Sequence, residues 1–248
     1  MTGVQTCALP ISNTNSAELI KLADNCWIDL NIAFGTELAK ICDLINVDVL
    51  EVIDAANTLK KGASFVNILK PSIGVGGYCL PKDPWFLQKF AENRNLKIQL
   101  PKIAREINAE SPIYLFNKLK SIQRKFTKIL FLGVAFKNNT GDIRNSPVIE
   151  LMKLIEKEGM HFSWYDPLVT PNPDFEFVDS QLQKLDKETQ FDLVVIGAWH
   201  EHFEIEDQIR ISSLLKDNGV LVDGRKYLDK HEIANLKTLG IRYIGVGR

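Results

Sequence analysis

The sequence predicts an α/β chain, a long-helix domain followed by a doubly wound parallel-sheet domain. Three observations predict it. Residues 16–46 hold no proline and one glycine, Gly35, and their apolar residues recur at helical spacing. From residue 128 onward, short apolar runs alternate with helical patterns, as in a parallel sheet covered on both faces. Between the two lies SIQRKFTK (121–128), polar and basic, which marks a boundary. The expected domains are 13–122 and 128–248, after a leader of residues 1–12.

Asn15, with Glu18 three residues on, reads as a helix N-cap and its capping-box partner. Leu19, Leu22 or Ala23, Cys26, Leu30, Ala33, Phe34, Leu38, Ile41 and Ile45 then mark one helix, about 45 Å long at ~1.5 Å per residue. A short helix is expected at Val49–Ala56, and a loop at 60–77 with Gly62, Pro71, Gly74, Gly76 and Gly77. Further helices are expected at 84–95 and 101–126, the latter with Pro112 as a kink point. KILFLG (128–133) suits a strand buried on both faces. A helix follows at 147–158, and HFSWYDP (161–167) reads as a strand ending in a turn. DLVVIG (192–197), VLVD (220–223) and RYIGVG (242–247) complete the strands, with helical patterns at 180–186, 205–215 and 230–239.

Composition narrows the function classes. With 248 residues and 45% hydrophobic content, the chain can bury a sizeable core. Thirty basic and thirty-one acidic residues are interspersed, so no footprint for nucleic acid or an anionic membrane is expected. No apolar run reaches the ~18–20 residues of a membrane span. Cys7, Cys26, Cys42 and Cys79 show neither metal-ligand spacing nor a dense disulfide pattern, which fits a reducing cytoplasm. MTGVQTCALPIS (1–12) lacks the parts of a signal peptide and resembles translated adapter read-through. We therefore expect these residues to be non-native and the native protein to begin upstream.

The chemistry concentrates in GVGGYCLPKDP (74–84). Three glycines in four positions let a backbone turn sharply or approach a ligand. Cys79 follows, then Asp83 four residues later, at the start of an expected helix. A thiol there is either activated by the helix N-terminus or an inert buried cysteine. Lys21 and Asn25 lie one turn apart on the long helix and can face one site; Lys21 alone reads equally as a solvated lysine. Lys137 and Arg144 follow the first strand of the second domain, where α/β sheets bind ligands, or are surface charges. Asp166 either contacts a ribose or starts an Asp-Pro turn. Asp223, Gly224 and Arg225 form a similar cluster after a strand. His200 and His202 lack a third ligand, so no metal site is expected. No GxGxxG follows an early strand; GVGGYC is the cysteine loop, and the terminal GVGR opens no helix.

Three ordered motifs carry a family resemblance: ELIKLADN (18–25), FVNILKPSIGVGGYCLPKD (65–83) and GVAFKNNTGDIRNSP (133–147). Together they resemble the UDP-glucose/UDP-N-acetylmannosamine dehydrogenases, over residues 13–248. The resemblance implies that Cys79 is a covalent nucleophile, with Lys21, Asn25 and Asp83 as its catalytic partners. It implies a substrate loop formed by Phe65, Asn67, Gly74, Gly76 and Gly77, with Lys137 on the sugar diphosphate. Phe65 reads equally as core, and Asn67 as a turn residue. Arg144 would reach NAD, which family members hold mainly in a domain preceding the long helix. The second domain would then be a Rossmann-like UDP-sugar-binding domain, and the long helix the core of a homodimer. KDPWF (82–86) leans towards the N-acetylated-sugar branch, while GYCLPKD is shared with glucose enzymes. Two other readings remain open: a UDP-sugar-binding and dimerisation module, and a β-hydroxyacid-type dehydrogenase. The latter shares the lysine–asparagine pair but has no use for Cys79 and Asp83.

Overall fold

The computed structural model describes residues 13–186, 188–205 and 209–248. The expected leader, 1–12, lies outside the described residues. The first half is helical. Helix α1 spans Thr14–Ile45, α2 Val49–Ala56, α3 Asp83–Glu92 and α4 Leu100–Lys120. The cap of α1 is Asn13 rather than Asn15; its side chain accepts the Ser16 N–H at 2.9 Å. The left-handed Asn46 ends the helix. The expected 60–77 loop contains a small antiparallel hairpin, β1 (Lys60–Lys61) and β2 (Ser64–Phe65). Helix α4 runs unbroken past Pro112 but stops at Lys120, six residues before the expected end at 126.

The second half is a five-stranded parallel sheet. Its strands are β3 (Ile129–Leu132), β4 (Phe162–Tyr165), β5 (Phe191–Ile196), β6 (Leu215–Asp223) and β7 (Arg242–Gly245), in the order β4-β3-β5-β6-β7. Helices α5 (Pro147–Lys157), α6 (Glu201–Ile205) and α7 (Lys230–Thr238) complete it. Alternation along the buried strands divides the core. Ile129, Phe131, Leu193 and Val195 face a cluster that includes α5. Leu130, Leu132, Val194 and Ile196 face a cluster that includes α7. The first cluster continues into α1, α2 and α4 through Cys42, Ile53, Leu115 and Leu119.

Two helical expectations fail. No helix forms at 180–186. A single 3₁₀ turn (Val178–Ser180) gives way to a bridge between Gln181 and Trp164, and the Leu182 N–H bonds the Trp164 carbonyl at 2.8 Å. Pairing with the sheet edge outcompetes one turn of helix. The expected 205–215 helix is also absent. A 3₁₀ turn covers Ile211–Leu214 and Leu215 already belongs to β6, while 206–208 lie outside the described residues. The chain switches sides between β3 and β5, and their C-terminal ends form the crevice where such sheets bind ligands. Gly133 sits there at φ 76°, where a Cβ would stand 1.9 Å from the Ala198 carbonyl oxygen.

Candidate active site

The cysteine loop is docked on the segment that follows β3. The Gly77 N–H donates to the Arg144 carbonyl, and the Asn145 carboxamide donates to the Gly77 carbonyl, both at 2.9 Å. A Cβ at Gly76 would meet the Asn145 carbonyl oxygen at 2.6 Å and the Phe136 Cβ at 2.7 Å. Gly77 (φ 84°) sits against the Phe136 ring. Gly74, Gly76 and Gly77 thus let the two halves of the chain close on each other.

Beyond the glycines, Cys79 is exposed, and its carbonyl accepts the N–H groups of Lys82 (3.0 Å) and Asp83 (2.8 Å). Cys79 and Asp83 therefore flank one turn, which Pro84 carries into α3. Asp83 is 8% exposed and Asn25 4%. The Asn25 carboxamide donates to Asp83 Oδ2 at 2.5 Å and accepts from Lys21 Nζ at 3.0 Å. Lys21 also reaches Asp24 at 3.3 Å and lies largely in solvent. A cation, a carboxamide and a carboxylate thus form one chain of bonds leading to the cysteine turn.

One turn further along α1, Asp29 is fully buried. It accepts from Arg105 Nη1 at 2.5 Å and from the Asn108 carboxamide at 2.8 Å. Burial raises the Asp29 carboxyl, against the opposing pull of Arg105. No sequence motif marks this triad. Its signal was Asp29 four residues after Asn25 on a packed helix face, with Arg105 and Asn108 one turn apart on α4. Cys26 is half-buried, and burial with Asp29 and Asp83 nearby pushes its thiol up to about 11.

A cavity of about 330 Å³ lies beside this loop, lined by Lys70, Gly74, Gly76, Leu80, Lys137 and Arg225 among others. Arg225 decides its character. Its guanidinium donates to the Phe136 carbonyl, and among the described residues its Nε has no hydrogen-bond partner. Burial pulls its pKa down. A half-buried cation on a cavity wall suits an anionic ligand. Larger grooves between α3 and α4 (510 Å³) and between α1 and α7 (750 Å³) contain none of the predicted site residues.

The remaining predicted residues divide. Lys137 is exposed at the cavity rim. Arg144 is exposed, forked onto Asp142 (2.6–3.1 Å), and stacked 5.4 Å from the Tyr78 ring beside Cys79. Phe65 is exposed on the hairpin, and Asn67 offers its carbonyl to Asn31; neither lines the cavity. Asp166 is buried and bonded to the Val134, Ala135 and Leu168 N–H groups, which favours the turn alternative over the ribose one. His200 pairs with it at 3.0 Å. Among the described residues no cluster of three potential ligands could hold a metal ion.

Both halves match descriptions of a single family. The central domain of the UDP-glucose/GDP-mannose dehydrogenase family matches residues 15–110, and its UDP-binding domain matches residues 130–230. The chain belongs to the UDP-glucose/GDP-mannose dehydrogenase family. The loop with Cys79 and the helix with Lys21 and Asn25 thus fall in the family's central domain, and Lys137 and Arg225 in its UDP-binding domain. The UDP-N-acetyl-D-mannosamine dehydrogenase of Methanocaldococcus jannaschii is 34% identical over 225 residues, 89% of this chain and 49% of the relative. The NDP-N-acetyl-D-galactosaminuronic acid dehydrogenase of Ralstonia nicotianae is 33% identical, over 90% of this chain and 51% of the relative. The crystal structure of NDP-N-acetyl-D-galactosaminuronic acid dehydrogenase from Methanosarcina mazei Go1 superposes with a TM-score of 0.79 at 28% identity. That match covers 94% of this chain and 51% of the other. The chain spans about half the length of these relatives.

Proposed function

We propose that this chain carries the catalytic cysteine and the UDP-sugar site of an NAD-dependent nucleotide-sugar 6-dehydrogenase. The longer protein would oxidise the C6 hydroxyl of a UDP-sugar twice, to the uronate, for polysaccharide precursors. The relatives' names favour a UDP-N-acetylhexosamine, with UDP-glucose as the alternative. The observation that carries the reading is the bonded series Lys21–Asn25–Asp83 ending on the turn of Cys79.

The chemistry needs these groups in this order. Bound NAD would accept hydride from C6. After the first oxidation, the Cys79 thiolate attacks the C6 aldehyde and forms a thiohemiacetal. Lys21, an exposed cation bonded to Asn25, stabilises the developing oxyanion. Loss of the second hydride, to a second NAD, would leave a thioester on Cys79. Water then hydrolyses it to the carboxylate and frees the thiol, with Asp83 positioning or deprotonating that water. Arg225 and Lys137 supply donors for the diphosphate, with Gly74 and Gly76 shaping the wall and Gly77 docking the loop behind it. Phe65 and Asn67 would belong to the same substrate loop. Arg144, a planar exposed cation held rigid by Asp142, suits the diphosphate of NAD.

The test is Cys79→Ala in the longer protein with UDP-N-acetylmannosamine, UDP-N-acetylglucosamine and UDP-glucose. Uronate formation is expected to vanish, and normal uronate yield would sink the assignment. A second reading treats this chain alone as a UDP-sugar-binding and dimerisation module. Ile20, Trp27, Phe34 and Ile41 favour it: an exposed apolar stripe at seven-residue spacing along α1, suited to a second copy. The expected result is no NADH from the 248-residue chain with UDP-sugars, and a dimer by sedimentation. Cytoplasmic residence follows from the same reading, supported by the free thiols of Cys26, Cys42 and Cys79.

A further inference from the structure

The segment after β3 carries Phe136 and Lys137 to the cavity, and its backbone is held from below by a buried pair. Asp166 and His200 are each fully buried at the side chain. Asp166 Oδ2 accepts the N–H groups of Val134 (2.8 Å) and Ala135 (3.2 Å), and Oδ1 accepts that of Leu168 (3.0 Å). His200 Nε2 lies 3.0 Å from Asp166 Oδ2. Its other nitrogen, Nδ1, accepts the Asn139 N–H at 2.9 Å. An accepting Nδ1 bears no proton, so the neutral ring carries its proton on Nε2 and donates it to Asp166. With both nitrogens spent inside the protein, His200 has none to offer a substrate as a base.

Its partner Asn139 is in the left-handed region (φ 53°), which asparagine adopts more readily than most residues. The Asn139 side chain bonds Glu201 twice, accepting the Glu201 N–H at 2.9 Å and donating to its carboxylate at 3.1 Å. Neighbouring Asn138 accepts from the Trp199 N–H and the Tyr227 hydroxyl. Lys137, between Phe136 and these anchored residues, has its ammonium 5.6 Å from the Phe136 ring.

We propose that His200 is a positioning residue for nucleotide-sugar binding: its unprotonated Nδ1 fixes the backbone at Asn139 and so presets Phe136 and Lys137 at the cavity. Asp166 selects the tautomer that makes this possible. The inference rests on the nucleotide-sugar reading of the cavity.

The test uses the full 248-residue chain, UDP as the probe, and two substitutions. His200→Asn keeps an acceptor oxygen near the place of Nδ1. His200→Gln keeps a polar group near Nε2 and leaves the Asn139 N–H facing a buried site with no acceptor. Calorimetry is expected to show UDP affinity nearly unchanged in His200→Asn and weakened about tenfold in His200→Gln. Amide exchange over 136–140 is expected to rise only in His200→Gln. The ¹⁵N shifts of His200 in the unsubstituted chain, which need no variant to fold, are expected to report a protonated Nε2. Equal binding by His200→Gln and the unsubstituted chain would overturn the inference and leave the cavity reading intact. So would equal losses in both variants, or a protonated Nδ1. No UDP binding by the unsubstituted chain would overturn the nucleotide-sugar reading itself, and this inference with it.

Discussion

The Asn25 carboxamide donates to the Asp83 carboxylate at 2.5 Å, joining α1 to the first residue of α3 across 58 positions of sequence. Through that bond, a carboxylate beside the cysteine turn and a lysine at the edge of solvent become one unit. Asn25→Asp would place a second carboxylate against Asp83. Two like charges at that distance cannot both remain ionised without cost. We expect a loss of ~1–3 kcal/mol in urea unfolding at pH 7. The penalty should shrink as pH falls through the carboxylate range and the pair takes up a proton. Equal penalties at pH 7 and pH 4 would contradict the direct contact.

The three described cysteines should differ in reactivity. Cys79 is exposed, Cys26 is half-buried with its thiol pushed up to about 11, and burial raises the thiol of Cys42. Limited iodoacetamide treatment of the native chain at pH 8 is expected to label Cys79 first, then Cys26, with Cys42 last. Peptide mass mapping gives the order.

Arg225 predicts opposite effects on stability and binding. A half-buried guanidinium with no carboxylate partner among the described residues adds little to folding. Arg225→Leu is therefore expected to leave the unfolding midpoint unchanged or raised. UDP affinity should fall roughly tenfold to a hundredfold, as for a lost charge-assisted bond. Thermal-shift titration reads both numbers, and the variant should need roughly tenfold to a hundredfold more UDP than the unsubstituted chain for the same rise in midpoint.

Asp29→Ala would leave the Arg105 charge buried beside an empty site. The expected cost is ~3–5 kcal/mol, measured by chemical denaturation. The double variant Asp29→Leu with Arg105→Leu should recover part of that loss, because no charge is then stranded.

Asp192 predicts acid behaviour. Burial opposes its charge, but Lys216 at 2.8 Å, the Thr127 hydroxyl at 2.6 Å and two backbone N–H groups outweigh it, so its carboxyl lies well below the usual range. A folded pKa below the unfolded value gives stability that is full above about pH 4 and lost as pH falls towards the folded value. Asp192→Asn should lower the unfolding midpoint at pH 7, and the difference from the unsubstituted chain should narrow below pH 4.

Local sequence was enough for the long helix, the five strands and the cysteine loop. Each depends on neighbours within about a dozen residues: the 3.6-residue period of α1, the unbroken apolar run of β3, and the Asp83–Pro84 helix start. The misread stretches are those where local preference is weak and a distant partner decides. Leu182 and Leu185 carry helical spacing, yet the Trp164 carbonyl draws Leu182 to the sheet edge. Asn13 and Asn15 are equally able caps, and only the folded first turn selects Asn13. Gly76 and Gly77 read as room for a ligand, but a Cβ at either would strike Phe136, 59 or more residues away.

The sequence by itself determined the α/β class and the order of the long helix and the five strands, and it singled out Cys79, Asp83, Lys21 and Asn25 as candidates for one site. Only the tertiary structure decided which atoms meet. It paired Asn25 with Asp83, buried Asp29 against Arg105, placed Arg225 on the cavity wall, and spent Asp166 and His200 inside the protein. The physical reason is range: periodicity and turn chemistry act between near neighbours, whereas burial and hydrogen-bond satisfaction are settled between groups brought together by the fold.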